Sequence, residues 1–559
     1  MNLILGGGDV GKTTILDAVG LLLSASNAAS ISEADYWRRD NTDEFSIEGV
    51  VSLPVSVDPN SFSVQLMPWD WNGADAVLPD DPQNGDVPEA KHPVYRLRVR
   101  GTADLELVWE IIQPDESIIA FSAAFRKKIG LIRLSADDRN DRDLRLVFGS
   151  ALDRLLADPA IKARIAKKVA EQDFSGAVGD AGVKVLGELD LRLKAASLPS
   201  GVKLGLTSSQ GLSIGALIGL LANRDGVALP LTSWGAGTKR MAALEIAAAT
   251  QAGSSVTVID EVERGLEPYR LRQLIGILKS TFGQSFVTTH SPVAIQCSTH
   301  ANLWYLDAAG AIGALDHEKI APQQQRDPET FLAKLAVIAE GPTEIGFLRR
   351  LLRLAFKGNP LDSGVRVCNG QGNAQTLALL EAIGVTGLKF AALADDEGTH
   401  DGRWSEVKAA MGARLLRWEG GCTEEAVLGH LPEARLPQLL KEEEGGWNGE
   451  RLRTLADRLG LADKSLAAIK AALVAQKRSL RAVIIEAATG KPDGAPEGKR
   501  NEWKAHGRAW FKSIVGGDEL AGYALANDVW PKLSGSILPL LNAILASVDR
   551  AAIERLDRV

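Results

Sequence analysis

The chain has 559 residues, 45% hydrophobic and 24% charged, which is too long for one ordinary core and suits roughly three to five domain-sized units. Its 63 basic and 71 acidic residues give a net charge of −8. That excludes a global electrostatic pull on nucleic acid, so a polyanion must be met by a local basic surface or through metal ions. No apolar run approaches the roughly 20 residues that span a bilayer, and Met1 leads straight into Asn-Leu-Ile-Leu without a basic stretch. Neither membrane insertion nor a leader peptide is expected. Cys297, Cys368 and Cys422 lie far apart, without the spacing of a disulfide framework or a zinc ribbon, and fit a reducing cytoplasm.

In chain order, Leu3-Ile4-Leu5 predicts a strand, Gly6 to Gly11 a loop, and Thr13 onward a helix with Ile15, Leu16, Val19, Leu22 and Leu23 apolar. From Phe45 to Arg100, short alternating runs punctuated by Pro, Asp, Asn and Gly predict antiparallel strands. Leu144 to Gln172 predicts helix, and more helix is expected between Lys184 and Ala196. Val256–Ile259 and Phe286–Thr288 have the composition of buried parallel strands. A polar, proline-flanked joint falls at Ala321–Pro328. Beyond it, strand, helix, strand, helix, strand alternate over 335–339, 343–356, 365–368, 374–383 and 390–394, which predicts a small parallel sheet. Leu431 to Glu486 reads as mostly helical, and Thr489 to Arg500 as a mobile surface loop.

Gly6-Gly7-Gly8-Asp9-Val10-Gly11-Lys12-Thr13 matches the phosphate-loop pattern between a strand and a helix. Glycines at Gly6, Gly8 and Gly11 let backbone N–H groups turn toward phosphate oxygens, and the helix start adds positive potential. Lys12 is expected to meet the β- and γ-phosphates, Thr13 to hold Mg²⁺, and Thr14 to complete the nucleotide contacts. Val256-Thr-Val-Ile259 followed by Asp260-Glu261 is an apolar strand ending in two acids. Asp260 suits Mg²⁺ and Glu261 suits polarising the attacking water. The next strand ends in Thr288-Thr289-His290, which makes His290 a candidate γ-phosphate sensor.

These motifs resemble the ABC-type ATPases of DNA repair and defence. Ser233-Trp-Gly-Ala-Gly-Thr-Lys-Arg240 sits where that family has its signature motif, although the usual Leu-Ser-Gly-Gly core is absent. In the family this motif caps ATP bound to a second subunit. The resemblance therefore implies nucleotide contacts from Ser233 and Gly235 and a head-to-head homodimer.

Acids also stand at the strand ends of the second α/β unit. Glu340-Gly341-Pro342-Thr343-Glu344 follows one strand, and Asp395-Asp396-Glu397 another. Strand ends of a parallel sheet meet on one edge, where converging carboxylates repel unless a divalent cation neutralises them. The two motifs resemble those of a TOPRIM domain, the metal-binding fold of topoisomerases, primases and nucleases. The resemblance implies metal ligands at Glu340, Glu344 and Asp395, at Asp396 or Glu397, and at Glu424 in the stretch Thr423–Leu428. It also points to Lys512, in Trp510-Phe511-Lys512-Ser513, as a group that stabilises charge on the reacting phosphate. An ABC-type ATPase followed by a TOPRIM domain is the arrangement of the OLD-family endonucleases, which include the nuclease subunits of Gabija-type phage defence.

The expected fold is thus α/β: an ABC-type P-loop ATPase domain over 1–325 with a strand-rich part and a helical, dimerising insert near 144–200. A TOPRIM core with a Rossmann-like parallel sheet follows over 333–430, and helical additions complete it over 431–559. The expected function is an ATP-hydrolysing, Mg²⁺- or Mn²⁺-dependent DNA endonuclease in antiviral defence or DNA repair. It would work as a homodimer or higher oligomer, alongside a helicase or effector encoded nearby. Lys464, Lys470, Lys477, Arg478 and Arg481 offer a local basic face for DNA. The alternatives are a non-nucleolytic DNA-repair clamp and a nucleotide-gated sensor ATPase that controls a partner.

Overall fold

A computed structural model describes the chain except for residues 25–30, 55–56, 60–64, 80–89, 135–140, 148–149, 157, 159, 171–178, 196–200, 202–216, 251–255, 281–282, 308, 316, 385, 442–445 and 557–559. Parts of the predicted helical insert near 144–200 lie outside the described residues. The fold is mixed α/β and divides into two compact units. One holds Thr13–Thr288, and the other holds Asn2–Lys12 together with Thr289–Val559. The first strand, β1 (Asn2–Gly6), belongs to the second of these.

In the first unit an antiparallel sheet is built from β2 (Phe45–Val51), β3 (Trp69–Trp71), β4 (Ala76–Val77), β5 (Pro93–Gly101), β6 (Leu107–Ile112) and β7 (Ile118–Ala120). The central strand β5 shows why the sheet is two-faced. Its successive side chains alternate, so Tyr95, Leu97 and Val99 enter a core with Trp109, Ile111, Phe121 and Phe125. Arg96, Arg98 and Arg100 face the other way and pair with Glu48, Glu110 and Glu44. Three parallel strands follow: β8 (Leu131–Leu134), then, after a small hairpin of β9 (Leu221–Arg224) and β10 (Val227–Pro230), β11 (Val256–Ile259) and β12 (Gln284–Thr288). β11 lies between β8 and β12.

The helix expected from Leu144 starts only at Ala151. Before it, Leu146 N–H donates to Ile218 and Leu220 N–H to Leu144. Leu144 and Leu146 are buried, so a strand-like pairing satisfies the backbone where a helical hydrogen bond was expected. The later helix covers Gly179–Ala195.

In the second unit β1 runs parallel to β13 (Asn302–Leu306), and β14 (Ile312–Leu315) pairs antiparallel with β13. A separate parallel sheet has the order β16–β15–β17–β18, from β15 (Leu335–Ala339), β16 (Val365–Asn369), β17 (Phe390–Ala394) and β18 (Leu415–Arg417). Every residue of β15 and β17 is buried, as expected for central strands covered on both faces.

Helix 342–356 packs on helix 514–524, and two glycines permit the close approach. A Cβ on Gly346 would lie 1.9 Å from the Ile514 carbonyl oxygen, and one on Gly517 2.0 Å from that of Thr343. This crossing brings the late segment around Lys512 to the edge of the parallel sheet. Helices over 449–459, 466–475, 480–489 and 530–547 enlarge the same apolar core. Among the described residues no helix is long and apolar enough to cross a membrane.

Candidate active site

The edge formed by the C-terminal ends of β15 and β17 opens into a cleft of about 930 Å³. Glu340, Glu344, Asp395, Asp396, Glu397, Glu424 and Lys512 all line it. Each acid arrives by a simple local device. Glu340 follows β15 at the turn into helix 342–356, and Glu344 is in the first turn of that helix. Asp395 follows β17, and Glu424 stands in the first turn of helix 423–430 after β18. Acids at helix N-termini and strand ends are set there by the backbone.

The carboxylates are buried and tightly held. Glu340, Glu344 and Glu424 keep only 7%, 4% and 2% of their surface exposed. Oε2 of Glu340 accepts from the backbone N–H of Asp395 and from Nδ2 of Asn373, both at 2.9 Å. Asn373 also donates to the Asp395 carbonyl at 3.0 Å and accepts from Trp404 Nε1 at 3.1 Å. Oδ1 of Asp395 accepts from the backbone N–H and the hydroxyl of Thr423, at 3.0 and 3.2 Å. The Thr343 hydroxyl lies 3.1 Å from Glu424 Oε1 and 3.0 Å from the Phe511 carbonyl, which links the carboxylates to the segment that carries Lys512.

Crowding these acids changes their proton affinity. Burial, and after it the neighbouring Glu424 carboxylate, push Glu344 up to about 7. Burial followed by repulsion from Glu344, Glu340 and Glu424 pushes Asp395 up to about 9. Glu340 is raised by burial, although the hydrogen bonds from Asp395 and Asn373 oppose this. Burial also raises the Cys422 thiol far above its usual range, so it stays protonated although its sulfur lies close to the oxygens of Asp395 and Glu424. The available donors are carboxylate oxygens, which suit a hard divalent cation such as Mg²⁺ or Mn²⁺.

The structure separates Asp396 from Glu397. Asp396 is committed to its loop: its oxygens accept from Gly398 N–H at 2.9 Å, Gly420 N–H at 3.2 Å and Arg417 at 2.5 Å. Those bonds hold it below the usual carboxylate range. Glu397 is exposed at the cleft. The residues that sequence reasoning missed are Asn373, Thr343 and Thr423. Only the first carries a signal, because Gly370-Gln-Gly-Asn373 is a glycine turn at the end of β16.

In the second unit Lys12 is buried, with Nζ 3.1 Å from the Gly6 carbonyl and 2.5 Å from that of Gly7. Gly6 (φ 155°) and Gly11 (φ 100°) adopt backbone angles that favour glycine. At Gly6 a Cβ would also meet the Leu306 carbonyl at 2.5 Å. A Cβ on Gly8 would meet open space. His290 is exposed in this unit.

In the first unit the Thr13 hydroxyl lies 3.2 Å from Asp260 Oδ2, and Thr14 is exposed beside it in sequence. Thr288 donates its hydroxyl to Asp260 Oδ1 at 2.5 Å and accepts the Glu261 N–H at 2.9 Å. Glu261 takes a left-handed φ of 46° and is 3.7 Å from Arg264. Ser233 donates to the Pro230 carbonyl at 2.6 Å, and Gly235 immediately precedes helix 236–250. From that helix Arg240 reaches the Asp260 carbonyl at 2.6 Å. Burial lowers its guanidinium to about 10.

Residues 99–296 match the family described as "AAA domain, putative AbiEii toxin, Type IV TA system". The match takes in Ser233–Arg240, Asp260, Glu261 and His290 but not the glycine loop at Gly6–Thr13. No curated protein matches the chain. Among solved structures the chain is similar to an SmcHead bound to the C-winged helix domain of ScpA, at 13% identity over 57% of this chain and 91% of that one, with a TM-score of 0.29. It is also similar to the C-terminal region of the Xanthomonas campestris pv. campestris OLD protein, at 14% identity over 39% of this chain and 98% of that one, with a TM-score of 0.25. For the C-terminal region of the Burkholderia pseudomallei OLD protein the figures are 15%, 39%, 99% and 0.23.

Proposed function

We propose that this chain is an ATP-binding, divalent-cation-dependent DNA endonuclease of the OLD type, in which the carboxylate cleft cuts and the AAA-type domain binds and hydrolyses ATP. The observation that carries this reading is the convergence of Glu340, Glu344, Asp395 and Glu424 in one cleft, where burial and mutual repulsion raise the first three. Such a cluster is costly without a counter-charge, and its oxygen donors fit Mg²⁺ or Mn²⁺. When bound, the cation supplies a water of lowered pKa and offsets the charge that builds on the phosphate.

The chain's own residues do the rest. Glu340, Glu344, Asp395 and Glu424 hold the cation, with Glu397 the better-placed of the two remaining acids and Asp396 fixing the loop. Asn373 orients Glu340, Thr423 orients Asp395 and Thr343 orients Glu424. Lys512 brings a positive charge to the cleft for the phosphate oxygens or the leaving oxygen. In the nucleotide site, Gly6, Gly8, Gly11, Lys12 and Thr14 contact the phosphates, Thr13 and Asp260 hold Mg²⁺, Glu261 polarises water, and His290 senses the γ-phosphate. Ser233 and Gly235 cap the nucleotide of a second copy in a homodimer. The resemblance of its motifs to those of OLD and Gabija-type nucleases supports a role in phage defence or DNA repair.

The test is to incubate purified protein with supercoiled plasmid and Mg²⁺ or Mn²⁺, with and without ATP. Nicked and linear products that disappear in EDTA support the reading. Intact plasmid under every metal and nucleotide condition overturns it.

A further inference from the structure

The helical stretch 464–481 offers less free charge to DNA than its sequence promises. Arg478 pairs with Glu486 at 2.5 Å, and Arg481 with Glu433 at 3.0 Å while it also bonds the Leu428 and Gly429 carbonyls. Positive charge gathers instead at the carboxylate cleft itself, where Lys491, Lys504 and Lys512 are all lining residues. The ammonium groups of Lys504 and Lys512 have no hydrogen-bond or ion-pair partner among the described residues. Lys491 pairs with Oε1 of Glu425, whose Oε2 accepts the Cys422 N–H at 3.0 Å. That lysine is half exposed, with 51% of its side-chain surface open, so a phosphate oxygen can take the place of the carboxylate.

These lysines belong to one backbone patch. A Cβ on Gly490 would lie 2.6 Å from the Lys504 carbonyl oxygen, so the chain beside Lys491 rests directly on Lys504. Lys512 N–H donates to the Gly507 carbonyl at 3.0 Å, and a Cβ on Gly507 would lie 2.8 Å from Lys512 Cδ. One buried guanidinium ties the patch together. Arg458, with none of its side chain exposed, donates to the Lys491 carbonyl at 3.0 Å, the Trp503 carbonyl at 3.3 Å and His506 Nδ1 at 3.2 Å, and it lies over the Trp503 ring at 4.6 Å.

The nearby trio Asp457, Glu502 and His506 brings its ligand atoms within 4.8 Å of one another, but it serves this clamp rather than a metal. Because Nδ1 accepts from Arg458, the ring proton is on Nε2, and that nitrogen faces Asp457 Oδ2 at 3.6 Å, just beyond hydrogen-bond reach.

The geometry points to Lys491 and Lys504 as phosphate contacts which, with Lys512, receive successive phosphodiester groups of one nucleic-acid strand in the cleft, Arg458 being the residue that positions them. This rests on the nuclease reading and supplies what a net charge of −8 leaves wanting, a local cationic track beside the cation-holding acids.

The experiment measures binding of a short labelled duplex to the full chain by fluorescence anisotropy, in Ca²⁺ and over a range of salt concentrations. Lys491→Gln and Lys504→Gln each weaken binding, equally for unrelated sequences, and lower the slope of log affinity on log salt by about 1, with about 2 for the double variant. Unchanged affinity and slope in both variants overturn the assignment. Displacement of the duplex by inorganic phosphate at an equal concentration of phosphate groups also overturns it, because the site then takes a single anion. A parent that binds the duplex with this salt dependence but never cuts plasmid contradicts the nuclease reading and leaves the lysine contacts standing. A parent that cuts, with lysine variants that bind like it, removes the lysine contacts alone.

Discussion

Glu340 accepts the backbone N–H of Asp395 at 2.9 Å, so the acid that follows β15 is locked to the acid that follows β17. Asn373 completes the lock, bonding the Glu340 side chain and the Asp395 carbonyl at once. Asn373→Ala leaves the buried Trp404 Nε1 without its acceptor and Glu340 short of a donor. The expected loss of stability is about 1–3 kcal/mol per buried group left unpaired. Metal-dependent plasmid cleavage should fall at least about tenfold through misplacement of Glu340, while ATP binding is retained. Thermal melts together with cleavage rates check both halves.

Lys12→Ala removes the charge expected at the β- and γ-phosphates. ATP affinity measured by calorimetry should collapse, while the protein remains folded by circular dichroism. Parental affinity in this variant would remove the phosphate-loop assignment.

Glu261→Gln keeps the side chain's shape and loses its negative charge. ATP should still bind, and steady-state hydrolysis should slow by roughly a hundredfold or more. Hydrolysis at the parental rate would move the base elsewhere, with Glu263 the nearest alternative.

These sites were unequally legible in the sequence. Glu340 and Asp395 could be found because an apolar strand ending in an acid is a local pattern, and the sheet brings such ends to one edge. The glycine loop was found for the same reason. Asn373, Thr343 and Thr423 were not, because their roles depend on partners 33, 81 and 28 residues away. Nothing local marks the two threonines for such a contact, and at Asn373 the glycine turn before it shows a loop but not its partner. The choice between Asp396 and Glu397 was also closed to sequence, since it turns on which carboxylate the Gly398, Gly420 and Arg417 donors take up. Lys491 was hidden in the stretch Thr489 to Arg500, which reads as a mobile surface loop, and Lys504 lies just beyond it with no motif to mark it. Arg478 and Arg481 looked available because their glutamate partners are visible only in three dimensions.

In the first unit, Glu110 carries a clear pH dependence. Burial alone would raise it, but hydrogen bonds from Arg100 and Arg98 and their charges outweigh this and hold it below its ordinary value of 4.5. A depressed folded pKa means that the unfolded chain binds the proton more readily. The stabilisation is therefore fully present above pH 4.5 and is lost as the pH falls through the lower folded value. Glu110→Gln should melt below the parent at neutral pH, and the gap should close as the solution is acidified. A gap that is constant across the acid range would show that the Arg98 and Arg100 contacts do not favour the charged form.

The most direct test of the carboxylate cleft as the cutting site is the nicking rate of supercoiled plasmid in Mn²⁺ for the parent, Glu340→Ala, Asp395→Ala and the double variant, with ATP binding measured on the same preparations. Removing either acid should nearly abolish nicking while ATP binding stays parental. The double variant should be scarcely worse than either single one, because groups that act as a unit are not additive. Nicking at the parental rate in both single variants would contradict the account and leave these acids a structural role.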